Sequence, residues 1–206
     1  MAVIEKRAVL VTGGTGFIGA ATVKHLASLG HEVTVFDNDW RGRSDRLSDI
    51  SGSIRIVEGD IRDLGAVTAA FEAIDTVFHL AFVNGTKFFY EEPELVLDVG
   101  IRGMLNVVDA CRSQGVRDLI VASSSEVYQT PSQIPTDETA PHSIPDPLNP
   151  RYSYAGGKII SELISINYGR RDFDRVILFR PHNVYGPDMG TEHVIPELST
   201  RAAAVI

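Results

Sequence analysis

The stretch VLVTGGTGFIG, residues 9–19, decides the fold. An apolar segment at 8–11 reads as a buried strand and runs into a turn crowded with Gly13, Gly14, Gly16 and Gly19. Apolar residues then recur at Phe17, Ile18, Ala21, Leu26 and Leu29 in a helical pattern that Gly30 stops. Glycines so placed serve a tight turn, close approach of the backbone to a pyrophosphate, and helix–strand packing. The helix N-terminus offers unpaired N–H groups and a positive dipole end to phosphate. Gly14, Gly16 and Gly19 fit GxGxxG, while Gly13, Gly16 and Gly19 fit GxxGxxG. Strand, turn, helix and glycines agree, which favours a dinucleotide-binding βα unit over a generic glycine-rich turn.

Working outward, a second strand at 32–36 ends in Asp37, which falls 18 residues after Gly19, near the spacing of about 20 for a ribose-binding acid. A carboxylate there accepts hydrogen bonds from ribose hydroxyls and repels a 2′-phosphate, so it favours NAD over NADP. Arg41 and Arg43 argue mildly the other way and read as solvated loop charges. Further strands are expected at 54–57, 76–80, 118–122 and 175–179, with helices at 17–29, 63–73, about 93–114 and 153–171. Alternation of this kind predicts an α/β fold of Rossmann type: a doubly wound parallel sheet with helices on both faces. A long proline-rich stretch, 129–151, has no helix or strand pattern. Irregular stretches of that length are usually functional, and this one should border an active site.

Tyr154 and Lys158 form a YxxxK pair, and Ser124 precedes the tyrosine by 30 residues. Residues i and i+4 share a helix face, so phenol and ammonium can enter one pocket. A tyrosine titrates near pH 10 or so, and a nearby cation should lower that value. With a serine hydroxyl on the reacting oxygen, the set suits proton transfer in a carbinol–carbonyl exchange. Alone YxxxK is unspecific; behind a dinucleotide fingerprint it carries weight.

The composition suits a cytoplasmic enzyme. A hydrophobic content of 44% supports a substantial core, and a net charge of −8 argues against nucleic acid or an anionic membrane as partner. No apolar run approaches the roughly 18 residues needed to cross a bilayer, and the opening MAVIEKRAVL leads into a strand rather than reading as a signal peptide. A single cysteine, Cys111, leaves no internal disulfide or cysteine-ligated zinc site. The histidines lack ligand spacing, so no metal is expected.

Seven segments together resemble the extended short-chain dehydrogenase/reductases of the nucleotide-sugar epimerase/dehydratase family: TGGTGFIG (12–19), VFDN (35–38), EGDIRD (58–63), VFHLA (77–81), SSSEVY (123–128), YAGGK (154–158) and RPHNVYGP (180–187). The resemblance implies cofactor contacts at Gly13, Gly16, Phe17, Ile18, Gly19, Asp37, Asn38, Asp60, Ile61, Leu80 and Ala81, with Tyr154 and Lys158 serving both cofactor and catalysis. Asp60 and Ile61 would hold the adenine edge. Tyr154 would be the base, Lys158 would lower its pKa and grip the nicotinamide ribose, and Ser124 would bind the substrate oxygen. Asn183 and His193 would contact a nucleotide-diphosphate sugar. The resemblance also implies a homodimer through the helices at 93–114 and 153–171, and a substrate domain extending well beyond residue 206. On that basis residues 1–180 form the NAD-binding domain with the Ser/Tyr/Lys set, and 181–206 begin a substrate-binding region.

Two positions depart from the family. Gly100 stands where an asparagine of an N-x-x-G-T pattern is usual, and Gln129 replaces the glycine of V-Y-G; Gln129 either projects into the substrate site or caps a turn. Glu126 bears on the reaction. The string S-S-E-V-Y is closer to the T-S-E-V-Y of UDP-glucuronate decarboxylases than to the T-D-E-V-Y of 4,6-dehydratases, whose acid position is Ser125 here. The expected function is an NAD-dependent nucleotide-sugar epimerase acting through a transient 4-keto sugar. The alternatives are a decarboxylase or 4,6-dehydratase using Glu126, and a non-catalytic NAD-binding regulator.

Overall fold

The computed structural model describes residues 5–190 and 194–204. Six strands form one parallel sheet: β1 (Ala8–Thr12), β2 (Glu32–Asp37), β3 (Arg55–Glu58), β4 (Thr76–His79), β5 (Asp118–Ala122) and β6 (Arg175–Phe179). Their order is β3-β2-β1-β4-β5-β6, so the direction of winding reverses between β1 and β4. Ligands of such sheets bind outside the carboxyl ends of the strands at this switch point. The register pairs Thr12 with Phe36 on one side and with His79 on the other, bringing the glycine turn, Asp37 and residues 80–83 to one edge.

Successive side chains of a strand point to opposite faces, and β1 divides the core accordingly. Leu10 packs with Val67, Phe71, Met104, Val107 and Leu119 on one face. Val9 and Val11 pack with Val23, Leu26, Val35 and Leu47 on the other. Each such side chain contributes about 1.5–3 kcal/mol on burial, which makes a near-continuous apolar strand the natural centre of a sheet covered on both sides.

The helices are α1 (Phe17–Ser28), α2 (Leu64–Ala70), α3 (Thr86–Glu91), α4 (Pro93–Leu97), α5 (Gly103–Gln114), α6 (Ser153–Asp172) and α7 (Val194–Ala203). The strands fall within a residue of expectation at either end; the helices depart more. α2 is shorter than 63–73, its start fixed by Asp63, whose side chain accepts from the Ala66 N–H at 3.1 Å. The expected helix at about 93–114 is three pieces, with a π-helical turn at Asp98–Arg102 between α4 and α5. That turn contains Gly100, and π turns are frequent at functional positions. Neither α3 nor the 3₁₀ segment Ser44–Ser53 was legible, because both are short and lack a clean apolar period. No helix among the described residues is long and apolar enough to cross a membrane.

Candidate active site

The cleft at the switch point has a volume of about 180 Å³ and is lined by Gly13, Gly16, Asp37, Asn38, Asp60, Ile61, Leu80 and Ala81, together with Trp40, Arg41, Phe82 and others. Eight of the expected cofactor residues therefore meet there. Phe17, Ile18 and Gly19 do not line it; they form the first turn of α1, whose N–H groups have no intrahelical partners. Gly13 has φ +70°, and a methyl group on it would stand 2.7 Å from the Ala81 nitrogen. One on Gly19 would lie 2.0 Å from the Gly13 carbonyl oxygen. Only glycine permits this close stacking of turn, helix and β4 edge, and the resulting floor of bare backbone fits a dinucleotide pyrophosphate.

Asp37 holds the turn in place: its carboxylate accepts from the Thr15 N–H and the Asp39 N–H, both at 3.0 Å. Asp60 is gripped by Arg62, at 2.6 Å from Nη2, and that bond holds its carboxyl below the usual range. Asn38 reaches the same carboxylate at 3.4 Å. Sequence reasoning missed the pin beneath this cleft. Thr12 Oγ1 accepts from the Leu80 and Ala81 N–H groups and lies 2.8 Å from His79 Nδ1. Burial, with Lys158 nearby, pushes the His79 pKa down to about 3. The ring is therefore neutral, and Nδ1 accepts the threonine proton. The strings VTGG and VFHLA held these residues, with nothing to mark them as partners.

Arg41 and Arg43 are not simply solvated. Arg43 and Arg46 both clasp Asp188 at 2.7 Å, and Arg46 also donates to the Thr15 carbonyl at 3.0 Å. Arg41 lies over the Phe88 ring, 5.2 Å from its centroid. The segment after β6 thus folds back beside the glycine turn, where a methyl on Gly186 would stand 3.3 Å from the Phe17 ring.

The second half of the site sits on α6. Tyr154 is buried, stacked on Phe89 at 5.0 Å and meeting Phe82 edge-on at 5.2 Å. α3 and residue 82 supply this aromatic wall, which no motif announced. The Tyr154 phenol is raised above its ordinary pKa by burial; a hydrogen bond from Ser124 works against that, and the Glu126 charge adds to it. The expected lowering by Lys158 is not found. The ammonium donates instead to the Ala122 carbonyl at 2.7 Å, and burial pulls its own pKa down to about 7. A cation that is itself losing its charge, with its proton directed at a carbonyl, does little to favour a phenolate.

Glu126 stands on the 3₁₀ turn Ser125–Val127, which Ser124 caps, and its carboxylate faces Arg151 at 3.4 Å. Ser125 is 2.8 Å from His182 Nδ1. Gln129 donates to the Glu126 carbonyl and so caps the turn. Asn183 is exposed on a left-handed turn residue, φ +46°. His193 lies outside the described residues. The irregular stretch 129–151 borders this site as expected, through Arg151 and through Ser143, whose N–H donates to Val127 at 3.2 Å.

A parallel sheet with a glycine-only cleft at its switch point, and a Ser/Tyr/Lys set beside it, defines a dinucleotide-binding protein of the short-chain dehydrogenase/reductase type. The chain belongs to the NAD dependent epimerase/dehydratase family, whose model matches residues 9–205. It is 35% identical over 184 residues to a UDP-glucose 4-epimerase of Mycolicibacterium smegmatis, covering 86% of this chain and 56% of that protein. It is 32% identical over 182 residues to a UDP-N-acetyl-α-D-glucosaminuronate decarboxylase of Bacillus cytotoxicus, covering 88% and 56%. A dTDP-glucose 4,6-dehydratase from Streptomyces venezuelae, solved with NAD bound, superposes with a TM-score of 0.85 at 27% identity, over 96% of this chain and 62% of that one. The chain thus spans little more than half the length of these curated relatives.

Proposed function

We propose that this chain carries the cofactor-binding and proton-transfer machinery of an NAD-dependent nucleotide-sugar epimerase that works through a transient 4-keto sugar. The observation that carries the reading is Tyr154, one helical turn from Lys158, near enough to Ser124 for that hydroxyl to act on the phenol, and packed on the Phe82 ring that lines the glycine cleft. Bound NAD supplies the hydride acceptor and donor. Tyr154 takes the proton of the sugar hydroxyl on oxidation and returns it on reduction, while Ser124 bonds the same oxygen and orients it. Asp37 selects the 2′-hydroxyl of NAD over a 2′-phosphate. Asn183, His193 and the rest of 181–206 belong to the substrate-binding side, and the working unit is a cytoplasmic homodimer.

One observation favours a second reading. Glu126 shares a turn with Ser124, and its charge reaches Tyr154. A carboxylate there can take the proton next to a 4-keto carbon, as a 4,6-dehydratase needs before water leaves; a decarboxylase, in which carbon dioxide departs from that carbon, needs a proton delivered there instead. A complete Ser/Tyr/Lys set argues against a non-catalytic regulator.

The test is to incubate the intact natural protein and NAD with a panel of UDP-, dTDP- and GDP-sugars and weigh the products. An epimer of unchanged mass is expected. Loss of carbon dioxide or of water would replace the epimerase reading with the second one. NAD binding without conversion of any sugar would favour the regulator.

A further inference from the structure

Lys158 is 4% exposed, and its ammonium lies 3.8 Å from the centroid of the Phe82 ring. The same ring lines the cleft, whereas Lys158 does not. The seat of the ring is made by two glycines. A methyl on Gly100 would stand 2.5 Å from Phe82 Cζ, and one on Gly157 would stand 3.1 Å away. Carbon atoms do not approach to 2.5 Å without one of them moving, so the ring rests there because residue 100 has no side chain. This accounts for the departure at Gly100. The face of an aromatic ring attracts a cation, so the lysine holds the ring on one side while the glycines admit it on the other.

We propose that Phe82 is a gate on Lys158: its ring separates the ammonium from the glycine-turn cleft, Gly100 and Gly157 form its seat, and a nicotinamide dinucleotide that engages Lys158 must first turn the ring out of that seat. The apparent affinity for the dinucleotide is then reduced by the fraction of molecules in which the ring has turned. The titratable groups around the ammonium are His79 from β4, kept neutral by burial, and Tyr154 and Glu162 from α6 itself. The dinucleotide part rests on the cofactor reading of the cleft; the screening of Lys158 does not.

Two variants and two readouts test the gate. Phe82→Ala removes the ring, and Gly100→Ala evicts it. Lys158 is labelled by reductive methylation without nucleotide and quantified by peptide mass spectrometry, with the exposed Lys6 and Lys87 as standards. Labelling should be slow in the parent and rise by about tenfold or more in both variants, and NAD should bind several-fold more tightly to Phe82→Ala. Circular dichroism reports whether each variant is folded, and Phe82→Leu substitutes if Phe82→Ala is not. Parent-like labelling of Lys158 in the folded variants overturns the screen. Faster labelling with weaker NAD binding overturns the gate. A parent protein that fails to bind NAD at all would instead defeat the cofactor reading, and the labelling would still decide whether Phe82 screens the lysine.

Discussion

Burial moves Tyr154 and Lys158 toward their neutral forms from opposite directions, the phenol upward and the ammonium down to about 7. For the lysine the consequence for stability has a definite sign. The unfolded chain keeps the proton to near the ordinary value of 10.5, while the folded chain releases it near 7. Between those limits the unfolded state binds more protons, so this group makes stability rise with pH. The melting temperature of the parent minus that of Lys158→Met should therefore become more positive from pH 6 to pH 9; a gap that stays constant would show that Lys158 titrates normally. Tyr154→Phe should lower turnover of the intact protein by about 10²–10⁴. NAD affinity should hardly change, because the ring that stacks on Phe89 remains. Near-normal turnover would move the base elsewhere, with Glu126 next in line.

At the scale of elements, one ion pair joins the end of β6 to α6. Arg180 donates to both oxygens of Glu162, at 2.8 and 2.7 Å, and to the Tyr128 hydroxyl at 2.6 Å. Glu162 is buried on α6, and Tyr128 begins the irregular stretch that covers the site. Burial works to raise the Glu162 pKa, but the Arg180 bonds and charge, together with Ser123 and His142, turn the net direction down. Removing the arginine would strand a carboxylate out of water, at a cost of roughly 3–5 kcal/mol. Urea unfolding of Arg180→Leu should show that loss, and Arg180→Leu with Glu162→Leu should recover much of it. A double variant as unstable as the sum of the single ones would mean that the pair is not the source. The sequence pointed to neither partner: they lie 18 positions apart on different elements, and each alone reads as a surface charge.

Across the whole molecule, α6 leaves a stripe of apolar side chains in water. Ile160, Leu163 and Ile166 are 37%, 55% and 40% exposed, while Ile164 packs on the core. Exposed apolar stripes of this kind mark contact surfaces, so sedimentation at micromolar concentration should show a dimer that Leu163→Glu weakens; a monomer throughout would reject the homodimer. The 206-residue chain should also bind NAD, because the residues that line the cleft lie within it; an equilibrium titration that shows no NAD binding would contradict this.

The sequence by itself marked the six strands, the glycine turn with Asp37, and Ser124, Tyr154 and Lys158 as one set. Strands and the glycine turn are set by local signals: apolar runs, φ-permissive glycines, and a carboxylate at a fixed distance from them. The resemblance added Asn38, Asp60, Ile61, Leu80 and Ala81 as cofactor residues, and the folded chain brings them to the cleft. Tertiary structure alone decided the electrostatic state of the Ser/Tyr/Lys set. Burial beneath Phe82 and Phe89, with the Glu126 charge adding to it, raises Tyr154 where a lowering was expected, and burial draws the lysine toward neutrality. Those partners come from the segment after β4, from α3 and from the Ser125–Val127 turn, far apart in the chain, and how much water a pocket keeps depends on how such elements close around it. A motif fixes which groups are present; desolvation, which fixes their charge, belongs to the packed whole.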